Sequence, residues 1–469
     1  MDILRVDKDR IVDGQDKPVH LRGFAVGGWM NMEHFMNGFP GAEYQLRAVM
    51  AQELGARKSE FFFNRLLDYF FTEVDVAFIH SLGATVVRLA INYRHFELDE
   101  RPFEYLEAGF SRLDQALGWC RKHGLYVILD MHAVQGWQNS DWHSDNASRH
   151  SFFWHDRLYQ DRFVALWQEL GRRYKDDPVI AGYDIMNEPL VGTPFGRFRE
   201  NAAIQLDHHH YYHPDWQRMN AIYRRVVEAI RQVDPHHIII LEGDYFSNLF
   251  AGLEAPFAED LVYSSHTYNP GPGENWGIEQ QRQWHDAHEG TRFTRRYQAP
   301  LYIGEFGTSI TGSPAAAVID AQIQLYNQLG HHWTIWNYKD IGVNGSVYVK
   351  PDSAYLQTIQ PVLHSKQVLG VDRFGKSASK PPVKAKLAEM ARIIEAELQD
   401  PTLEPDVDQG YLEQHMLSGY VSQLLQKKYA RCFAGMQEEE MDRILQSHLL
   451  QNCAVNEAAL QFLKDRFKD

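Results

Sequence analysis

Eight short apolar runs, each separated from the next by a longer stretch, constrain this chain more than anything else in it. They are LRGFAVGG (21–28), TVVRLAI (85–91), LYVILDMH (125–132), IAGYDIMN (180–187), HIIILEG (237–243), LVYSSHTY (261–268), LYIGEFG (301–307) and WTIWNY (333–338). Several are apolar at consecutive positions, as in parallel strands buried on both faces. Between them, Phe61–Leu82, Leu113–His123, Phe163–Tyr174, Trp216–Val233 and Ala315–Leu329 carry helical periodicity. Gly83 and Gly124 stand where a glycine would end a helix ahead of a strand. Eight strand–helix units in about 370 residues predict an α/β fold, a (β/α)8 TIM barrel with enlarged loops. An open doubly wound sheet is the other arrangement of such units. It calls for a glycine-rich phosphate turn leading directly into a helix, whereas GFAVGGW leads into a long irregular loop.

Two additions frame the barrel. Ile11-Val12 and Val19-His20-Leu21 flank the turn-rich segment Asp13–Pro18, which predicts a short N-terminal β-hairpin. Pro401, Pro405 and the acidic residues between Glu404 and Asp408 read as a linker. The expected division is a catalytic barrel over residues 1–400 and a helical C-terminal extension over 401–469. Tyr411–Phe467 has the pattern of two or three amphipathic helices, suited either to packing on the barrel or to self-association.

Charge and cysteine content exclude several function classes. The chain has 62 acidic and 47 basic residues, a net charge of −15. Such a balance opposes nucleic-acid binding and polybasic membrane contact, both of which run on Lys and Arg. No stretch of about 18 apolar residues is present, so no membrane span is expected. Cys120, Cys432 and Cys453 are too few and too scattered for a disulfide framework or a zinc site, and no cofactor is expected. The start MDILRVDKDRIVDGQDKPVH lacks the features of a secretory signal, so the expected location is cytoplasmic; a secreted chain trimmed of its leader would read the same.

In a (β/α)8 barrel the chemistry lies at the carboxyl ends of the strands. The residues there are Arg88, His132, Asn187-Glu188, Glu242, His266, Tyr268, Glu305 and Trp336. Glu188 in YDIMNEP and Glu305 in YIGEFG end the fourth and seventh strands, and barrel curvature turns both toward the axis. Two carboxyl groups about 5–5.5 Å apart make a retaining glycosidase site, one acting as acid and the other as nucleophile. Their environments then have to separate their proton affinities. Arg88 is placed to keep one carboxylate ionised, and Tyr268 to hydrogen-bond it.

These same pieces, in order over residues 10–390, resemble glycoside hydrolase family 5, the retaining (β/α)8 glycosidases. They are LRGFAVGGW, VVRLAI, LDMH, IMNEP, SHTY, IGEFG and TIWNY. GGWMNMEHFM and the loop HAVQGWQNSDWHSDN (132–146) are similar to the exo-1,3-glucanase-like branch. The resemblance implies Glu188 as acid/base and Glu305 as nucleophile. It implies Asn187 on the sugar 2-hydroxyl, Arg88 and Tyr268 orienting Glu305, and His132 on the −1 sugar. It also implies His266 beside Glu188 and Trp336 as the floor under the −1 sugar. The expected reaction is double-displacement hydrolysis of β-glycosides. Long insertions after the first and third strands favour exo action on gluco- or manno-configured oligosaccharides or glycosides. A transglycosylase with the same glutamates and a non-catalytic sugar-binding barrel are the alternatives.

Trp137 and Trp142, in the loop after the third strand, are expected to wall subsites, while Trp154 and Trp276 read as packing residues. Glu242 reads either as a substrate-binding carboxylate or as a partner for a barrel arginine. Asp130 reads as a structural hydrogen-bonding group, and Asn337 and Asp340 as further residues near the site. His208-His209-His210 with His213 reads as a surface loop rather than a metal centre, because adjacent histidines point apart.

Overall fold

The computed structural model describes residues 1–192, 212–268, 277–307, 313–372, 381–399 and 412–469. Eight parallel strands close into a barrel in sequence order: β1 (Arg22–Val26), β2 (Val86–Asn92), β3 (Tyr126–Ala133), β4 (Ile180–Asp184), β5 (Ile238–Glu242), β6 (Leu261–His266), β7 (Leu301–Phe306) and β8 (His332–Ile335). β8 pairs with β1, aligning Trp333 with Arg22, and so closes the ring.

The two-residue period of each strand divides its side chains between the helices and the barrel interior. Outward residues such as Val87, Leu89, Val127, Leu129, Ile239, Leu241 and Ile303 join the main core. Inward residues Val86, Ile128, Ala181, Ile238, Ile240, Val262 and Tyr302 fill the lower interior, with Leu4 and Ile11 of the N-terminal segment packed into the same cluster. One period further along, the inward positions turn polar: Arg88, Asp130, Asp184, Glu242 and His266, all almost completely buried. The site is thus the upper half of a core whose lower half is hydrocarbon.

The surrounding helices anchor the strand exits. Arg157–Tyr174 buries Phe163, Leu166, Trp167 and Leu170, an i, i+3, i+4, i+7 stripe. Asp156 caps this helix by accepting from Leu158 N. Its Trp167 indole donates to Ile185 O at 2.9 Å, just ahead of Asn187-Glu188.

The structure adds detail to three sequence expectations. A hairpin pairs Arg5–Asp7 with Arg10–Val12, and the expected Asp13–Pro18 turn follows it, closed by a Val12–Pro18 bridge with Val19 N donating to Ile11 O at 2.9 Å. Phe61–Leu82 is two helices, Ala56–Phe70 and Glu73–Ser81, broken where Thr72 and Asp75 form a capping box. The C-terminal segment is knitted into the barrel's additions. Cys453–Val455 pairs antiparallel with Val347–Val349, and Phe467 stacks on Trp333 with ring centroids 5.2 Å apart. The expected linker at 401–408 lies outside the described residues.

Candidate active site

Arg88 sits at the centre of the polar layer. Its Nη1 donates to Glu305 Oε1 at 2.6 Å, its Nε to Asp184 Oδ2 at 3.0 Å, and its Nη2 to Asn187 Oδ1 at 2.9 Å and Glu242 Oε1 at 3.1 Å. Asp130 Oδ2 lies 3.3 Å from Nη1. Burial alone would lower the guanidinium's proton affinity, but Asp130, Asp184 and Glu305 outweigh it and raise the pKa well above the usual value. Only arginine offers this fork of fixed donors without a proton to lose.

Glu305, at the end of β7, also accepts from the Tyr268 hydroxyl at 2.8 Å. Both of its oxygens are therefore held by donors, which fixes the carboxyl group in one orientation.

Glu188 lies just beyond β4 with a left-handed backbone, φ +48°. For a non-glycine residue such a conformation costs about 1–2 kcal/mol and persists only where the surroundings enforce it. Two bonds enforce it here. Glu188 N donates to Glu242 Oε2 at 2.7 Å, and Glu188 O accepts from Asn139 Nδ2 at 2.9 Å. The side chain meets His266 Nδ1 through Oε1 at 2.7 Å and His143 Nε2 through Oε2 at 3.1 Å. Burial would raise its pKa, but the two imidazoles hold the carboxyl below the ordinary range.

Glu188, Glu305 and His266 each offer a ligand-type atom within 4.8 Å of the others. The two carboxyl groups therefore face one another across a gap of the size a retaining glycosidase needs. Such a triad also has metal-ligand chemistry, but each of its members is already engaged by protein donors or acceptors.

His266 is clamped between Glu188 and Glu242, whose Oε1 lies 3.2 Å from Nε2. Gly304 leaves room for it, since a Cβ there would come within 2.9 Å of His266 Nε2 and 2.5 Å of Ser264 Oγ. His132 bonds Asp130 through Nδ1 at 2.7 Å and lies parallel to Trp336, ring centroids 5.1 Å apart and planes 3° apart. Burial pushes the His132 pKa down to about 3, so this ring is neutral at working pH. Trp336 is nearly buried, with Gly27 against its ring where any side chain would clash.

Arg88, His132, Asn187, Glu188, Glu242, His266, Tyr268, Glu305 and Trp336 are thus gathered at one end of the barrel. Glu242 joins Arg88, His266 and the Glu188 backbone, which makes it the arginine partner of the two readings above. Trp142 packs edge-on against His34, centroids 4.5 Å apart, beside this cluster. Trp137, with φ +65°, lies with its ring beside those of Tyr44 and Phe152. Asp340 is a loop brace, its carboxylate accepting the backbone N–H groups of Gly342, Val343, Asn344 and Gly345. Asn337 is fully buried, and the Trp154 indole donates to Gln138 O in the core. His213 is exposed; His208, His209, His210 and Trp276 lie outside the described residues.

Four residues of the site were not singled out by sequence reasoning. Glu33, from the loop after β1, is 4% exposed, with Oε1 3.8 Å from His132 Nε2. Burial pushes its pKa up to about 8; His143 opposes this, and Glu305 and Glu188 add to it. His143, Gln138 and Asn139 come from the loop after β3. Gln138 Nε2 donates to His132 O at 2.7 Å and Asn187 O at 2.8 Å, tying this loop to the β4 exit. The two loops also meet each other, Asn31 Nδ2 donating to His143 O at 3.0 Å and Tyr44 N to Asp145 Oδ1 at 2.9 Å. The only sequence signal was the polar density of QGWQNSDWHSDN, which carries no periodicity to orient its side chains.

Comparison with known proteins agrees with this geometry. Residues 56–342 match the family model described as Cellulase (glycosyl hydrolase family 5). The chain is similar to a beta-xylosidase of Phanerodontia chrysosporium, 35% identical over 99% of this chain and 98% of that protein. It is similar to a glucan 1,3-beta-glucosidase of Candida oleophila, 30% identical over 36% of this chain and 42% of that protein. Among solved structures, an endogalactoceramidase shares the fold, with TM-score 0.52 and 20% identity over 72% of this chain and 75% of that one. The chain belongs to glycosyl hydrolase family 5 and is a glycoside hydrolase acting on O-glycosyl bonds.

Proposed function

We propose that the protein is a retaining exo-β-glycosidase that removes a terminal sugar from small β-linked oligosaccharides or glycosides. The observation that carries this reading is the approach of Glu188 and Glu305 to within 4.8 Å, beside two loops that hydrogen-bond each other. Glu305, held by Arg88 and Tyr268, attacks the anomeric carbon as Glu188 protonates the departing oxygen. A water that surrenders its proton to Glu188 then displaces Glu305 from the sugar, with net retention. Asn187, fixed by Arg88 Nη2, presents its amide to the 2-hydroxyl, and Trp336 offers an apolar face to the ring.

The bonded contacts between the loops after β1 and β3 support exo action, since a cleft closed on one side accepts chain ends better than chain interiors. Gluco- and manno-configured sugars are the expectation from sequence. The name of the Phanerodontia relative supports adding xylo-configured sugars, which keep the gluco arrangement of ring hydroxyls without the C5 hydroxymethyl.

The test is a panel of 4-nitrophenyl β-glucoside, β-mannoside, β-xyloside and β-cellobioside, with the first-formed anomer read by NMR. At least one monosaccharide glycoside should be cleaved with the β-anomer appearing first, and the cellobioside should lose glucose before nitrophenol. Intact cellobiose as first product overturns exo action, and an initial α-anomer overturns retention. Undiminished turnover by Glu188→Ala and Glu305→Ala overturns the whole reading. Transfer products dominating when acceptor sugars are added would make the enzyme a transglycosylase.

A further inference from the structure

The acid/base of a glycosidase has to carry a proton at rest and recover one each cycle, yet Glu188 is gripped by two imidazoles. His266 is fixed on both nitrogens, between Glu188 and Glu242. His143 is different. It arrives on the loop after β3, its ring 12% exposed, and touches only the Oε2 side of Glu188. Its Nε2 also lies 2.7 Å from Asn139 Nδ2.

The orientation of that Asn139 amide is fixed independently. Its Oδ1 accepts from Asp141 N at 2.9 Å, and its Nδ2 donates to Glu188 O at 2.9 Å. An N–H of Asn139 therefore faces His143 Nε2. A proton resting on Nε2 would set two N–H groups against each other, whereas a lone pair there accepts from Asn139 and from a protonated Glu188 alike.

We propose that His143 is a positioning residue for the catalytic acid: it shares one proton with Glu188 across their 3.1 Å contact, and Asn139 directs that proton toward the carboxyl as the leaving group arrives. The inference rests on the glycosidase reading above and deepens it. In glycosylation the bond from the anomeric carbon to the leaving oxygen breaks and the bond to Glu305 forms. The shared proton leaves Glu188 for that oxygen, and Glu188 remains a carboxylate. In deglycosylation the attacking water gives its proton back to Glu188, from which the pair is reset, and Glu305 departs with its electron pair.

The charged groups facing His143 fit a pair that retains its proton. Glu188 comes from the β4 exit and Glu33 from the loop after β1, while on its own loop Asp141 is met by Arg149 Nη1 at 2.9 Å. His132 of β3 faces it edge-on at 5.9 Å and is neutral, and Phe246 closes the remaining side at 6.1 Å. Burial would depress the imidazole, but Glu188 and Asp141 raise it to about 9, which keeps one proton within the pair; the Asn139 N–H biases that shared proton from Nε2 toward Glu188. A pair coupled this strongly titrates as a unit.

The experiment compares wild type with His143→Gln on two glycosides of one sugar, an alkyl glycoside that needs a proton donor and a 2,4-dinitrophenyl glycoside that barely does. For His143→Gln, kcat/KM on the alkyl glycoside should fall by about a hundredfold and the dinitrophenyl value by less than about threefold. The alkaline limb of the pH profile should move down by about one unit. Equal losses on both substrates with an unmoved limb overturn the inference and leave the glycosidase reading intact. A wild type inactive on every glycoside overturns both. A second measurement needs no activity: in protein carrying 15N-labelled histidine, Glu188→Gln should lower the His143 titration midpoint by about one unit or more. An unshifted midpoint overturns the inference.

Discussion

Glu242 accepts the backbone N–H of Glu188 at 2.7 Å through one oxygen and the Arg88 guanidinium at 3.1 Å through the other. A residue from β5 thereby fixes the strained φ of Glu188 beyond β4 and the arginine that grips Glu305 on β7. Substituting Glu242 disturbs both halves of the site while leaving the Glu188 and Glu305 carboxyl groups themselves unaltered. Glu242→Ala leaves Arg88 short of an acceptor and frees the Glu188 backbone, so kcat should fall by about 10²–10³. Glu242→Gln keeps an acceptor for the backbone N–H and should retain about ten times more activity than the alanine variant. Steady-state kinetics of the two proteins checks this; equal losses would mean that the charge, not the backbone bond, matters.

Tyr268 and Arg88 hold opposite oxygens of Glu305, and their removal should differ in kind. Tyr268→Phe deletes one hydrogen bond at a partly exposed position. It should lower kcat by about 10–100-fold with little loss of stability. Arg88→Ala removes the guanidinium shared by Asp130, Asp184, Glu242 and Glu305, leaving these buried acids without their common counter-charge. A loss of about 3–5 kcal/mol follows, with poor soluble yield. Denaturant unfolding beside kinetics separates the two effects.

Much of the fold and of this residue cluster is legible in the sequence, for a definite reason. Arg88, Glu188, His266 and Glu305 sit at the ends of apolar runs, and a closed parallel barrel converts that position into a shared site. Glu33 and His143 stand in irregular loops, where no period fixes the direction of a side chain. Trp137 lies in the same irregular loop, with a positive φ that the sequence does not announce and its ring beside those of Tyr44 and Phe152. The C-terminal helices were visible as amphipathic patterns, but amphipathicity names a face and not its partner.

Glu33 supplies a pH signature. Burial, the largest influence, pushes its carboxyl up to about 8. The folded protein thus holds this proton more tightly than the unfolded chain, where a glutamic acid titrates at about 4.3. Below that range both states are protonated and the contribution to stability is complete. As the pH climbs toward 8 the unfolded state gains by ionising, so stability drains away. Glu33→Gln removes the titration at nearly constant shape. It should be more stable than wild type by about 4 kcal/mol at pH 8 and indistinguishable at pH 4, as read by thermal unfolding at the two values. A difference that is the same at both pH values would refute the assignment.

The C-terminal segment should behave as part of the barrel's own core. Phe467 is 6% exposed and stacks on Trp333 with planes 16° apart, while also lying 5.6 Å from the Phe24 ring of β1. Arg466 beside it reaches Asp320 at 2.7 Å, and its carbonyl accepts from Asn327 Nδ2 at 2.7 Å. Further back, Lys339 Nζ donates to His448 O at 3.0 Å and pairs with Asp75. Removing residues 412–469 uncovers Trp333 and leaves that buried lysine without one acceptor, so the truncated chain should be insoluble or unfolded. Phe467→Ala is the gentler probe. A buried phenylalanine truncated to alanine costs about 3–5 kcal/mol, and the loss should appear as one lowered transition in calorimetry, since the segment and the barrel share a core. Two separate transitions, with the barrel's unshifted, would show an independent domain and return the extension to the status of an appendage.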